Sequence, residues 1–218
     1  MNLPTLIEKS MQFERDEARA DVYPMVVDWI ERHSQSTTET IRGIATLLYV
    51  WNTRYYSSAK KGFSGAVETL QELFANPRFV ELLSRFRGSR ISTANLEPVE
   101  DALVNLYDLV DYYKGLGIAG TSKVLHLCEM DLFVMWDDKI SRHYHKRHRE
   151  LGLRHERGGG RCYAEFLREM RMQSTEVLSG TTEQIVLMQL KEMCGYRKTL
   201  AKALDEANFM TFTKRPRA

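Results

Sequence analysis

Cysteine is scarce in this chain. The three residues Cys128, Cys162 and Cys194, among 218 positions, are odd in number and form no CxxC pair, which argues against a disulfide framework and against a zinc or iron–sulfur site built from cysteines. All three read as buried thiols. Long apolar runs are also missing: nowhere do about 18 apolar residues follow one another, and the opening MNLPTLIEKSMQFERDEARA breaks every apolar stretch with charge, the opposite of a signal peptide or a membrane span. The expectation is a soluble, intracellular protein, cytoplasmic or nucleoid-associated, with no membrane partner. Alternating strand patterns are few, no internal repeat is visible, and no flexible stretch is long enough for a domain linker. The net charge of +2 is too small, taken whole, to indicate a partner.

What the chain has is helical spacing. Ile41, Ile44, Leu48, Trp51 and Tyr55 recur at intervals of three and four, as do Leu103, Leu106, Val110 and Tyr113, placing each set on one helix face. The pattern predicts helices at about 4–19, 22–33, 38–56, 65–75, 78–86, 97–114, 122–129, 138–151, 161–172 and 181–206. Glycine and small polar residues break it at 57–65, 87–98 and 155–161. The expected fold class is all-α, a single helical domain over 1–218 of one lobe or two, with a cleft near 115–140 and a short, frayed basic tail at 211–218.

Charge is concentrated. Between Lys139 and Arg161 eight basic residues face only Glu150 and Glu156, a local charge of +6 that leaves −4 for the remainder, and His143, His145, His148 and His155 lie in the same stretch. Such a patch is either a solvated helix face or the footprint of a polyanion, whose binding is driven by phosphate neutralisation and counterion release.

The segment GIAGTSKVLHLCEMDLFVMWDDKI, residues 117–140, holds the most pointed arrangement. Gly115, Gly117 and Gly120 permit a tight turn before a helix expected to start near Ser122, and backbone N–H groups at such a turn suit a phosphate. Lys123 then falls in the first helical turn, where the positive end of the macrodipole disfavours an ammonium and lowers its pKa. A neutral amine is what nucleophilic attack on carbon requires. Fourteen positions later Asp137 ends the apolar run 132–136 as the N-cap of the next helix. Taken singly, Asp137 reads as a cap and Lys123 as a surface lysine. Taken together, they stand at successive helix entrances that one short helix can bring to the same cleft.

This pattern resembles the helix-hairpin-helix superfamily of DNA glycosylases, in which a glycine hairpin is followed by a lysine and then by an apolar stretch ending in a catalytic aspartate. The matching positions are Gly117-Ile118-Ala119-Gly120, Lys123, and Asp137 after Val134-Met135-Trp136. The resemblance implies a helix-hairpin-helix element at about 97–129 and a bifunctional glycosylase/AP lyase acting on double-stranded DNA with a damaged (oxidised or deaminated) base or an abasic site. It further implies that Lys123 forms a Schiff base and that Asp137, or alternatively Asp138, stabilises an oxocarbenium-like sugar. Neither a metal nor another cofactor is required. A target base must flip out of the duplex, and Trp51, Asn52, Tyr55, Tyr56 and Trp136 are the candidates for its pocket, each of the aromatics equally suited to plain core packing. Gly117, Gly120 and Thr121 at the turn, with Arg142, Lys146 and Arg149 on the next helix, are the candidate DNA contacts.

Two other readings stand beside it. RHYHKRH, residues 142–148, contains Arg142 six positions before His148 and resembles the Arg-x(4–6)-His signature of all-helical HEPN ribonucleases, which implies metal-independent RNA cleavage with His148 as acid or base. A non-enzymatic nucleic-acid-binding module would use the turn and the basic patch alone. A metal site built from His143, His145 and His148 is disfavoured, because that spacing along one helix does not converge three side chains.

Overall fold

The apolar spacing and the capping residues between them account for most of the helices. The computed structural model describes residues 1–51, 62–113 and 116–214, and among these it contains eleven α-helices and no strand. They are α1 (Leu3–Asp16), α2 (Val22–Arg32), α3 (Thr37–Trp51), α4 (Gly62–Ala75), α5 (Pro77–Ser84), α6 (Glu100–Tyr112), α7 (Gly117–Cys128), α8 (Asp138–Glu150), α9 (Gly160–Val177), α10 (Glu183–Cys194) and α11 (Leu200–Asn208). A π-helical turn, Phe209–Thr213, continues α11. The caps have plain causes: the Asn2 and Asn76 side chains accept from the Thr5 and Arg78 amides, each followed by proline in the first turn, where its missing N–H costs nothing.

Several boundaries differ from the sequence expectation. The stretch 181–206 is two helices, because Gly195 at φ 79° closes α10 in the left-handed conformation and Thr199 caps a fresh start for α11. α9 runs on to Val177. α7 begins at Gly117, not near Ser122: with Gly117 at φ 57° the chain turns straight into helix, and the Gly120 amide already bonds the Leu116 carbonyl. The residues expected to form the hairpin are thus the first turn of α7; positions 114 and 115, in the α6–α7 connection, lie outside the described residues. Residues 211–214 of the expected frayed tail are tied down, with the Lys214 amide bonded to the Phe209 carbonyl.

α2, α3 and α4 pack as successive neighbours, α6 packs against both α5 and α9, and α1 lies on α11, α10 and the π turn. Residues near the two ends of the chain therefore meet. One buried apolar cluster extends from Leu6 to Ala207. At its tightest point, Gly160 opens α9 against α6: its amide donates to Asp108 Oδ1 at 2.6 Å, and a Cβ there would lie 2.5 Å from the Val104 carbonyl oxygen. No helix among the described residues is long and apolar enough to cross a membrane.

Candidate functional site

The apolar segment 132–136 is extended rather than helical, and side chains must satisfy its backbone. Three do so. Ser122 Oγ donates to the Trp136 carbonyl at 3.0 Å and accepts from the Trp136 amide at 3.1 Å. His126, one turn further along α7, bonds the Phe133 carbonyl through Nδ1 at 2.6 Å, and Tyr163 donates to the Val134 carbonyl at 2.8 Å. Burial lowers the His126 pKa to about 3, so its Nδ1–H donates to the carbonyl while Nε2 accepts from the Tyr23 hydroxyl at 2.7 Å. This lacing holds the segment along α7 and delivers Asp137 beside Lys123, the residue next to Ser122.

Both residues line one cavity of about 260 Å³, together with Trp51, Arg19, Asp205, Ala119, Trp136 and Thr213 among others. That is near the small end of ligand pockets, which run from roughly 300 Å³ upward. Lys123 is only 8% exposed, and it is the seventh residue of α7. The expected cause of its altered acidity is therefore corrected: burial, not the helix terminus, lowers its pKa to about 8, with Arg19 and Lys202 pushing the same way against Asp205 and Asp137. Its Nζ sits 5.8 Å from the centre of the Trp51 ring.

Asp137 does cap α8. Its Oδ1 accepts from the Lys139 and Ile140 amides at 2.8 and 2.9 Å, and Oδ2 accepts from Thr213 Oγ1 at 2.6 Å. The π turn thus orients the carboxylate from the other side. Asp138 is bound differently: it pairs with Arg142 and Arg157, whose hydrogen bonds hold its pKa down despite the cost of partial burial, and it does not line the cavity. The register is settled in favour of Asp137 as the carboxylate at the cavity.

The remaining expected residues divide. Trp51 is half-buried at the cavity, its Nε1 donating to the Arg19 carbonyl at 3.1 Å while Arg19 donates to the Trp51 carbonyl. Trp136 is a core residue, 1% exposed, donating to the Tyr107 hydroxyl at 3.1 Å and packed on Phe166; it contributes wall rather than a free stacking face. Asn52, Tyr55 and Tyr56 lie outside the described residues. Arg142, Lys146 and Arg149 share the solvent face of α8, although Arg142 is engaged by Asp138 and Lys146 lies 3.9 Å from Glu150. Gly117 is exposed at the start of α7, whereas Gly120 and Thr121 are buried, the latter donating to Asp111 at 3.3 Å. Buried inside the helix, those two are withdrawn from a phosphate. His148 is 1% exposed and bonds Glu169 at 2.9 Å, away from the solvent face that carries Arg142; a general base for a ribose hydroxyl would need the reverse.

The sequence reading missed the charges of α11. Lys202 is fully buried, paired with Asp205 at 2.8 Å and Glu206 at 3.3 Å, and its Nζ lies 4.5–4.9 Å from the rings of Phe13, Tyr23 and Trp51. Lys198 bridges Glu206 and Glu14 at 2.7 and 2.6 Å. Asp205 lines the cavity, and burial raises its pKa in spite of Lys202. The signal was present: Leu200, Ala201, Ala203, Leu204 and Ala207 surround every side of this helix, so its charges had to be buried with them. Of the cysteines, Cys162 is buried while Cys128 and Cys194 are half-buried. His145, His155 and Cys162 have the spacing of metal ligands but are not among the residues lining the cavity.

No protein-family model matches the chain, and no curated protein or solved structure is significantly similar to it.

Proposed function

We propose that the chain is a bifunctional DNA glycosylase/AP lyase, excising a damaged base from duplex DNA and cutting the abasic strand by β-elimination. The observation that supports this reading is the meeting of a buried, partly neutral amine with a helix-capping carboxylate in one small cavity. With a pKa of about 8, roughly a tenth of Lys123 is neutral at pH 7, against about 0.03% for an ordinary lysine. That gain is what an amine nucleophile needs.

In the reaction, the Lys123 lone pair attacks the sugar C1′ as the base departs with the glycosidic electron pair and takes up a proton. Asp137 lies where positive charge develops on the sugar and stabilises it electrostatically. Ring opening gives a protonated Schiff base between Nζ and C1′. Loss of a proton from C2′ then expels the 3′ phosphate, and water releases Lys123. Trp51 offers a half-buried ring for the extruded base, and the solvent face of α8 carries cations from the capped end outward to grip the backbone.

Duplexes containing oxidised or deaminated bases, and an abasic duplex, test the reading by their incision products. Wild type should give the unsaturated aldehyde end of β-elimination, Lys123→Gln should not, and His148→Ala should retain it. Incision indifferent to Lys123, or RNA cleavage abolished in His148→Ala, would overturn it.

A further inference from the structure

The proposed chemistry uses none of the four histidines that follow Asp137. α8 presents His145 and His148 one turn apart, the connection after it returns His155, and the first turn of α9 presents Cys162. Ligand atoms of His145, His155 and Cys162 lie within 4.8 Å of one another. The His155 ring is 5.5 Å from that of His145 and 5.0 Å, edge-on, from that of His148. Nδ1 of His145, Nδ1 of His148 and both ring nitrogens of His155 are shielded from solvent and have no hydrogen-bond partner among the described residues. Buried polar atoms are nearly always satisfied, so four orphaned nitrogens converging beside a buried thiol call for a partner that accepts lone pairs.

We propose that these side chains bind a zinc ion, with His145, His155 and Cys162 as ligands and His148 completing the set through Nδ1. His148 is oriented for that role: its Nε2 bonds Glu169 Oε1 at 2.9 Å, and the second Glu169 oxygen takes Arg147 Nε at 3.1 Å. A carboxylate behind a ligating imidazole fixes the tautomer and aims the other nitrogen's lone pair at the metal. A tetrahedral zinc with bonds of about 2.0–2.3 Å needs donor atoms roughly 3.3–3.8 Å apart. The widest separation here, 4.8 Å, therefore requires a contraction of about 1 Å, within reach of side-chain rotation. Three imidazoles and a thiolate suit zinc and are poor ligands for magnesium or calcium. With every position filled by protein the site is structural, clamping the 151–159 connection between α8 and α9. The same connection carries Arg157 onto Asp138, next to the Asp137 cap. Spacing along α8 alone cannot show this site, because its ligands cross from helix to connection to helix.

The test uses the full chain, freed of metal by chelator and titrated with cobalt(II) as the probe. Wild type should bind cobalt stoichiometrically, with a thiolate-to-metal charge-transfer band and tetrahedral visible absorption, both removed by added zinc. Cys162→Ser should lose the charge-transfer band, Glu169→Gln should bind about 10–100-fold more weakly, and His143→Ala, outside the cluster, should bind as wild type. Zinc but not magnesium should raise the Tm of the metal-free wild type, a readout that depends on no variant's folding. Absence of stoichiometric binding by wild type, a cobalt spectrum without the thiolate band, or binding unchanged in Cys162→Ser would overturn the proposal. DNA incision enters none of these readouts.

Discussion

Replacing Lys123 with methionine should make the protein more stable while disabling it. Burial places the Lys123 amine at a pKa of about 8, against its ordinary 10.5, and that gap corresponds to about 3 kcal/mol at any pH where both folded and unfolded chains carry the proton. The sign follows from proton counting. Below pH 8 the folded state bears the whole cost of a buried ammonium. Between about 8 and 10.5 the unfolded chain holds more protons than the folded one, so this group's contribution to stability rises with pH until the cost has gone. Methionine is similar in length and carries no charge. The lost contact with the Trp51 ring, worth about 0.5–1 kcal/mol, leaves an expected gain of about 2–3 kcal/mol at pH 7. Urea unfolding of wild type and Lys123→Met at a series of pH values reads the difference directly, with other titrating groups cancelling between the two proteins. The variant should be more stable at pH 7, and the gap should narrow toward pH 10.5. A variant less stable than wild type at pH 7, or a gap independent of pH, would refute the reasoning. A destabilising group retained at a cavity is the usual signature of stability yielded to function.

Other consequences follow from the same geometry. Asp137→Asn keeps an oxygen for the Lys139 and Ile140 amides, so its Tm should stay near wild type, while Asp137→Ala should cost about 1 kcal/mol; base excision should fall about 10²–10³-fold in both, and excision that merely tracked stability would make Asp137 a cap only. Neutralising Arg142, Lys146 and Arg149 together should weaken duplex binding and reduce the slope of log K against log salt by about 2–3, measured by fluorescence anisotropy; an unchanged slope removes the α8 face from the interface. Lys202→Met leaves Asp205 and Glu206 without their shared cation and should destabilise by about 3–5 kcal/mol in thermal or urea melts, in contrast to Lys123→Met.

The all-helical class was legible because apolar residues at three and four positions leave few alternatives, as in α3 and α6. Boundaries failed where local backbone chemistry decided them. Gly195 ended a helix whose apolar pattern continued on both sides, and Gly117 started one earlier than its spacing suggested. The pairing of Lys123 with Asp137 was visible from their placement, but the side chains that enforce it, Ser122, His126 and Tyr163, carried no sequence signal of their own, since their partners are backbone groups of a segment whose extended form is set by packing. Lys198, Lys202, Asp205 and Glu206 look like a solvated face when charge is read along the chain, and only the apolar residues on all sides of α11 reveal otherwise. The histidine and cysteine cluster was missed for a related reason: convergence in space, across two helices and the connection between them, leaves no fixed interval to recognise.

Whether Lys123 is a nucleophile can be read by borohydride trapping on an abasic-site duplex, comparing wild type with Lys123→Gln. A covalent protein–DNA adduct formed by wild type and absent from the variant is the predicted result. No adduct from wild type, under conditions where a control lyase is trapped, or an adduct that persists in Lys123→Gln, would contradict Schiff-base chemistry at this residue.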